Sequence, residues 1–116
     1  MPTRTGQTIK VGVVGDIDDD EAIVVSRETA GTQDDIAVVR SDGQYFAIDN
    51  TCTHEQTSLA DGWIEDGCLE CPLHSATFRL ADGAVLSPPA KAGIAVHTIE
   101  VVGDDLMLTP NPDRLA

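Results

Sequence analysis

The sequence predicts an all-β domain, a sandwich or barrel-like stack of antiparallel sheets. Short β-branched runs recur at regular spacing, turns built on Gly, Asp and Pro separate them, and no stretch carries the apolar period of a helix. The chain has 116 residues, a length that suits one domain, 1–116, with a modest core. Aromatic residues make up only 3% of it, so that core must be aliphatic.

Residues 1–7 have no periodic pattern and read as a loose arm. Residues 9–14 (Ile-Lys-Val-Gly-Val-Val) form the first predicted strand. An acidic turn region, 15–21, follows. Asp16, Asp18 and Asp20 fit the opening ligand positions of a calcium loop, but Glu21 stands where that loop needs Gly and Arg27 where it needs Glu. The run therefore reads as a solvated loop. Residues 22–26 form a second strand and 29–35 a loop. The strongest hairpin signal joins 36–40 to 44–49 through Ser41-Asp42-Gly43. Short strands are expected at 63–65 and 68–70 around Asp66-Gly67. Further strands are expected at 77–80 and 84–86 around Asp82-Gly83. Pro88-Pro89 must be a rigid loop, because proline cannot donate to a ladder. Residues 97–102 and 106–109 close the domain as a hairpin, and 110–116 read as a tail. No helix is expected.

Seven Lys and Arg face twenty Asp and Glu, for a net charge of −13. Such a charge repels nucleic acid and anionic membrane and favours cationic partners; its plainer reading is solubility or a salt-adapted host. No apolar run has the length of a membrane span, and residues 1–10 lack the apolar segment of a secretory signal. These features point to the cytoplasm. Three cysteines are an odd number, which in a reducing compartment suits metal ligation plus one spare thiol.

The chemistry concentrates between Cys52 and His74. Cys52-Thr53-His54 and Cys71-Pro72-Leu73-His74 each offer a thiolate and an imidazole from one tight loop. Together they make a Cys₂His₂ set, which suits a tetrahedral zinc or a two-iron cluster with two cysteines on one iron and two histidines on the other. A second grouping is also open: Cys68, Cys71 and His74 could form a zinc knuckle completed by Cys52 or His54. Cys68 and Cys71 further spell a C-x-x-C redox pair, though no βαβ pattern surrounds them. The plainer reading of Cys68 is a partly buried thiol on a strand. His97 reads as structural or as a surface residue, and Trp63 as packing beneath the metal loops. Leu73, Pro88 and Pro89 are candidates for an apolar screen and contact surface; Glu55 and Gln56 for exposed loop positions beside a partner.

Cys52-x-His54, Cys71-x-x-His74, Phe78, Gly83 and the Pro88-Pro89-Ala90 loop together resemble the Rieske iron–sulfur proteins, and most nearly the small ferredoxins that serve bacterial aromatic-ring-hydroxylating dioxygenases. The resemblance implies three antiparallel sheets and a cluster-binding subdomain at about residues 50–76. It also implies one [2Fe–2S] cluster, with Cys52 and Cys71 on the buried iron and His54 and His74 on the iron near the surface. The implied function is electron transport without substrate chemistry: electrons arrive singly from a ferredoxin reductase and leave to a terminal oxygenase. Transient docking suits that role, with neither nucleic acid nor membrane as a partner. Alternatives are an electron-transfer component of another oxygenase system and a zinc-stabilised interaction domain. A free-standing oxygenase is excluded, because only His97 remains to build a mononuclear iron site.

Two departures from the wider family bear on the potential. Membrane-complex Rieske proteins carry an extra cysteine in each loop, joined as a disulfide, where this chain has Thr57 and Leu73. They also place Ser and Tyr hydroxyls near the cluster, where this chain has Ala76 and Phe78. Fewer hydroxyl donors to the sulfurs stabilise the reduced form less, so the expected potential is near the low end of the range, about −150 mV.

Overall fold

Four consecutive residues, Ile36, Ala37, Val38 and Val39, are buried without remainder, and the architecture follows from that. A strand whose successive side chains point to opposite faces can bury all of them only if both faces are covered. In the computed structural model, which describes residues 8–52, 57–72, 76–86 and 93–116, this is what occurs. The strands are β1 Ile9–Val13, β2 Glu21–Val25, β3 Ile36–Ser41, β4 Gln44–Asp49, β5 Trp63–Glu65, β6 Cys68–Glu70, β7 Thr77–Arg79, β8 Val96–Val102 and β9 Asp105–Thr109. Six of them form one antiparallel sheet in the order β1-β9-β8-β4-β3-β2, and β5-β6-β7 form a separate small sheet.

The large sheet is joined at its middle by only two residue pairs, Ala47↔His97 and Ile48↔Val96. There β8 links the β1-β9-β8 and β4-β3-β2 parts of one sheet, and the small sheet is separate. Ile36 and Val38 of β3 face a core shared with Ala47, Leu106 and Leu108. Ala37 and Val39 face the other way, into a core shared with Ile48, Leu59, Leu69 and Phe78. The second core lies between β3–β4 and the small sheet, and it holds both Cys52 and Cys71.

The turns are those the sequence announces. Asp42-Gly43 and Asp66-Gly67 take positive φ at both residues (53° and 75°, 51° and 76°), the twist that two-residue hairpins need. Gly67 N–H also donates to Ser41 Oγ at 3.1 Å, tying the small sheet's turn to the β3–β4 turn. In the acidic segment, Asp16 accepts from Val13 N–H, and Asp19 accepts from Gly43 N–H and pairs with Arg40.

Three expectations change. Residues 27–30 form a one-turn helix, α1 (Arg27–Ala30), between the strand read at 22–26 and the loop read at 29–35, taking in that loop's first two residues. Ser26 Oγ accepts from Thr29 N–H and Gly31 closes the turn in the left-handed region, so the local cap signals outweighed the absence of an apolar period. Residues 84–86 return along β7 with a single bridge, Phe78↔Val85, instead of forming a strand.

The third change is the tail. The stretch after β9 docks against the body through a buried polar network. Asn111 N–H donates to His97 Nδ1 at 2.8 Å, so the imidazole proton sits on Nε2 and points to Asp49 Oδ1 at 2.8 Å. Arg114 Nε donates to Asp49 Oδ2 at 2.7 Å, and Thr32 bridges Leu115. The His97 side chain is 0% exposed, which makes it a clasp for the terminus and not a surface residue. Asn111, Pro112 and Arg114 show no periodicity, so their long-range partners were invisible in the sequence.

Candidate metal centre

The two candidate thiols sit at the starts of two loops closed in the same way. Cys52 N–H donates to Thr57 O at 3.0 Å, and Cys71 N–H donates to Ala76 O at 2.7 Å. Each closure joins residues five apart in the chain and each is flanked by a paired position on the strand side, Thr51↔Ser58 for the first and Glu70↔Thr77 for the second. A closed loop of that length limits the conformations open to its cysteine. Both thiols are buried, at 3% and 0% exposure, in one apolar cluster with Leu59, Leu69, Ala76 and Phe78.

The first loop is anchored by side chains from the body. Asp34 accepts from Thr51 N–H at 2.9 Å and from Thr51 Oγ1 at 2.8 Å. Asn50 donates to Ser58 Oγ at 2.9 Å and accepts from Ala60 N–H at 3.0 Å, while its own carbonyl takes Leu59 N–H at 2.7 Å. The second loop hangs from the small sheet. The β6–β7 ladder pairs Cys68↔Arg79, Leu69↔Phe78 and Glu70↔Thr77 immediately before and after it. Gly62 lies so close to this ladder that a Cβ there would stand 2.1 Å from the Glu70 carbonyl oxygen.

Strand alternation decides between the groupings the sequence left open. Leu69 and Phe78 point inward, while Cys68 sits on the outer face between Glu65 and Arg79. Cys71, one residue past the strand, returns to the inner side and is buried with Cys52. Cys68 and Cys71 therefore project to opposite faces, which argues against both the Cys68 zinc knuckle and the C-x-x-C pair. The structure brings Cys52 and Cys71 together and separates Cys68 from both. His54 and His74 lie outside the described residues, as do Leu73, Pro88, Pro89, Glu55 and Gln56. Trp63, expected beneath the loops, is instead 65% exposed on the outer face of the small sheet. Its neighbour Ile64 takes the inner position, because a three-residue strand offers one inward place between two outward ones.

Asp34 and Asn50 were missed by the sequence reading. An Asp and an Asn next to strand ends are ordinary turn residues, and nothing local distinguishes a loop anchor from a turn.

The donor chemistry fits an iron–sulfur group. Two soft sulfur donors buried in a largely apolar core suit an iron–sulfur group, and burial in such surroundings is one of the levers on its potential. Ala76 and Phe78, both at 0% exposure beside the thiols, bring no side-chain hydroxyl to that pocket.

Comparison with known proteins agrees. Residues 7–102 match the Rieske [2Fe-2S] domain. The chain is 35% identical over 81 residues to the 3-phenylpropionate/cinnamic acid dioxygenase ferredoxin subunit of Photorhabdus laumondii subsp. laumondii, over 69% of this chain and 77% of that protein. Its fold is similar to the Sphingomonas yanoikuyae B1 ferredoxin, with a TM-score of 0.80 and 27% identity over 90% of this chain and 100% of that one. It is also similar to a chain of the complex of reduced oxygenase and oxidized ferredoxin in carbazole 1,9a-dioxygenase, with a TM-score of 0.82 and 28% identity over 90% and 94% of the two chains.

Proposed function

This chain belongs to the Rieske [2Fe–2S] domain family, and from that membership we propose that it is a one-electron carrier, the ferredoxin component of an aromatic-ring-hydroxylating dioxygenase system. It takes electrons from a ferredoxin reductase and delivers them to the terminal oxygenase, and performs no substrate chemistry itself. The observation that carries this reading is the burial of Cys52 and Cys71 together, at the starts of two loops of equal hydrogen-bonded span.

Cys52 and Cys71 would hold the buried iron and His54 and His74 the other, within a cluster-binding part at about residues 50–76 of the single domain 1–116. The bound cluster supplies one reversible electron, at a potential raised by its two neutral nitrogen ligands. The chain's own residues set the conditions for that. Leu59, Leu69 and Phe78 exclude water from the sulfur ligands. The two backbone closures fix the direction of each cysteine, and Asp34 and Asn50 hold the first loop to the rigid β3–β4 hairpin. Rigid ligands keep reorganisation small as the charge changes. The absence of hydroxyls at Ala76 and Phe78 sets the midpoint at about −150 mV.

Net charge sets the manner of meeting partners. At −13, the chain draws basic surfaces by long-range steering, and short-lived complexes follow from speed of encounter without tight binding. No helix among the described residues is long and apolar enough to cross a membrane; the carrier reading places the protein in the cytoplasm.

The test is an electron paramagnetic resonance spectrum of the dithionite-reduced holoprotein, with iron and acid-labile sulfide measured on the same sample. A rhombic signal with average g below the free-electron value, and equal iron and sulfide, is expected. A colourless protein with stoichiometric zinc, or a midpoint above zero, overturns the respective part of the reading.

A further inference from the structure

The outer face of the small sheet takes no part in holding a cluster, and it has an unusual composition. Trp63, the only tryptophan in the chain, stands there at 65% exposure. Glu65 follows it on the same face of β5, and Glu70 is its direct cross-strand partner. Two clefts open beside the indole, of about 430 Å³ and 310 Å³. Asp20, Glu65 and Glu70 line the first, and Glu65, Asp66, Glu70, Cys68 and Thr77 the second. Among the described residues lining these clefts none is basic. Arg79, at the far side of the face, is engaged with Asp82 at 2.9 Å.

An exposed indole offers an electron-rich face, and carboxylates gathered around it repel one another. One kind of occupant relieves both: a guanidinium or ammonium group, which is attracted to the face of an indole and pairs with flanking carboxylates. Tryptophan and arginine are also the residues that most often dominate protein contacts. We propose that the Trp63 face is a docking site for an arginine- or lysine-bearing surface of a redox partner protein, with a basic side chain against the indole between Glu65 and Glu70.

The placement suits electron transfer, and to that extent the inference rests on the carrier reading. Glu70 immediately precedes Cys71, so a partner seated on Trp63 is one cross-strand pair and one peptide bond from a cluster ligand. The face serves a carrier that must meet more than one protein.

Two measurements test this. First, the holoprotein at low ionic strength is titrated with a hexa-arginine peptide while the emission of its single tryptophan is followed. A saturable change is expected, weakened about tenfold by the double variant Glu65→Gln/Glu70→Gln and unaffected by Glu100→Gln/Asp104→Asn, which removes the same charge from the β8–β9 hairpin. Second, the dithionite-reduced holoprotein is mixed with ferric cytochrome c, a basic redox protein that accepts one electron. Trp63→Ala is expected to slow the bimolecular transfer about tenfold with the visible spectrum unchanged. Equal weakening by the two double variants, an unmoved emission, or a wild-type transfer rate in Trp63→Ala overturns the docking face. A wild-type protein that passes no electron defeats the carrier reading instead, and the peptide titration then decides the docking face alone.

Discussion

The loop after Cys52 and the loop after Cys71 share their backbone closure and differ in what holds them to the protein. The first adds side chains to its backbone bonds: beside the Thr51↔Ser58 bridge and the Leu59 N–H to Asn50 carbonyl bond, Asp34 grips Thr51, and Asn50 grips Ser58 and Ala60. Among the described residues the second is held by the β6–β7 ladder, main chain to main chain on both sides. Anchors made of side chains can be removed one at a time by substitution, whereas a ladder persists through most substitutions. The difference teaches that equal geometry at two ligands need not mean equal sensitivity. It makes the first loop the place where this protein's cluster stability can be tuned.

The largest effect is expected where the loops are equivalent. Cys52→Ala and Cys71→Ala should each abolish visible absorption and iron content in the purified protein, because each removes a buried thiol of the proposed centre. Cys68 cannot stand in, being on the opposite face of the strand. Retention of the spectrum by either variant would break the assignment of that loop.

Next comes a change that attacks the second loop through its ladder. Gly62→Ala forces a Cβ against the Glu70 carbonyl, 2.1 Å away, and backbone on both sides must shift. We expect a loss of about 3 kcal/mol in chemical denaturation, together with faster iron release. A smaller cost than that of losing a single hydrogen bond would show that the small sheet is looser than the ladder implies.

Asn50→Ala sharpens the contrast. It deletes two hydrogen bonds at the first loop and leaves the Ala60 N–H without its acceptor, for about 2 kcal/mol of stability. Iron release followed by absorbance with a chelator should accelerate, with the cluster's spectral shape retained. Unchanged release would mean that the Cys52–Thr57 closure suffices and that the side-chain anchors are redundant.

Smallest of all is Cys68→Ser, which should keep the visible spectrum and change stability by less than about 0.5 kcal/mol. The thiol is partly buried between Glu65 and Arg79, outside the apolar core that holds Cys52 and Cys71. A lost or shifted spectrum would revive the Cys68–Cys71 grouping.

Much of the fold could be read directly. The β3–β4 hairpin, with its Asp42-Gly43 turn, and the β5–β6 turn at Asp66-Gly67 follow from local conformational preference, which acts over a few residues. The short helix at Arg27–Ala30 was missed, although Ser26 and Gly31 are its ordinary caps, because one turn is too short to show a period. The tail was misread because the partners of Asn111 and Arg114 are His97, Val96, Asp49 and Gln33, most of them far away in the chain.

Read alone, the order of residues determined the candidate donors, two Cys-and-His pairs at loop spacing, together with the β periodicity and the net negative charge. Those are properties of residue type and near-neighbour spacing. Only the tertiary structure decided which thiol joins which, that Trp63 faces solvent, and that Asp34 and Asn50 clamp the first loop. Each of these depends on which face of a strand a side chain takes and on what packs against that face. The sheets thus sort the three thiols: Cys52 and Cys71 share an apolar core, and Cys68 is turned away from it by a strand's two-residue repeat.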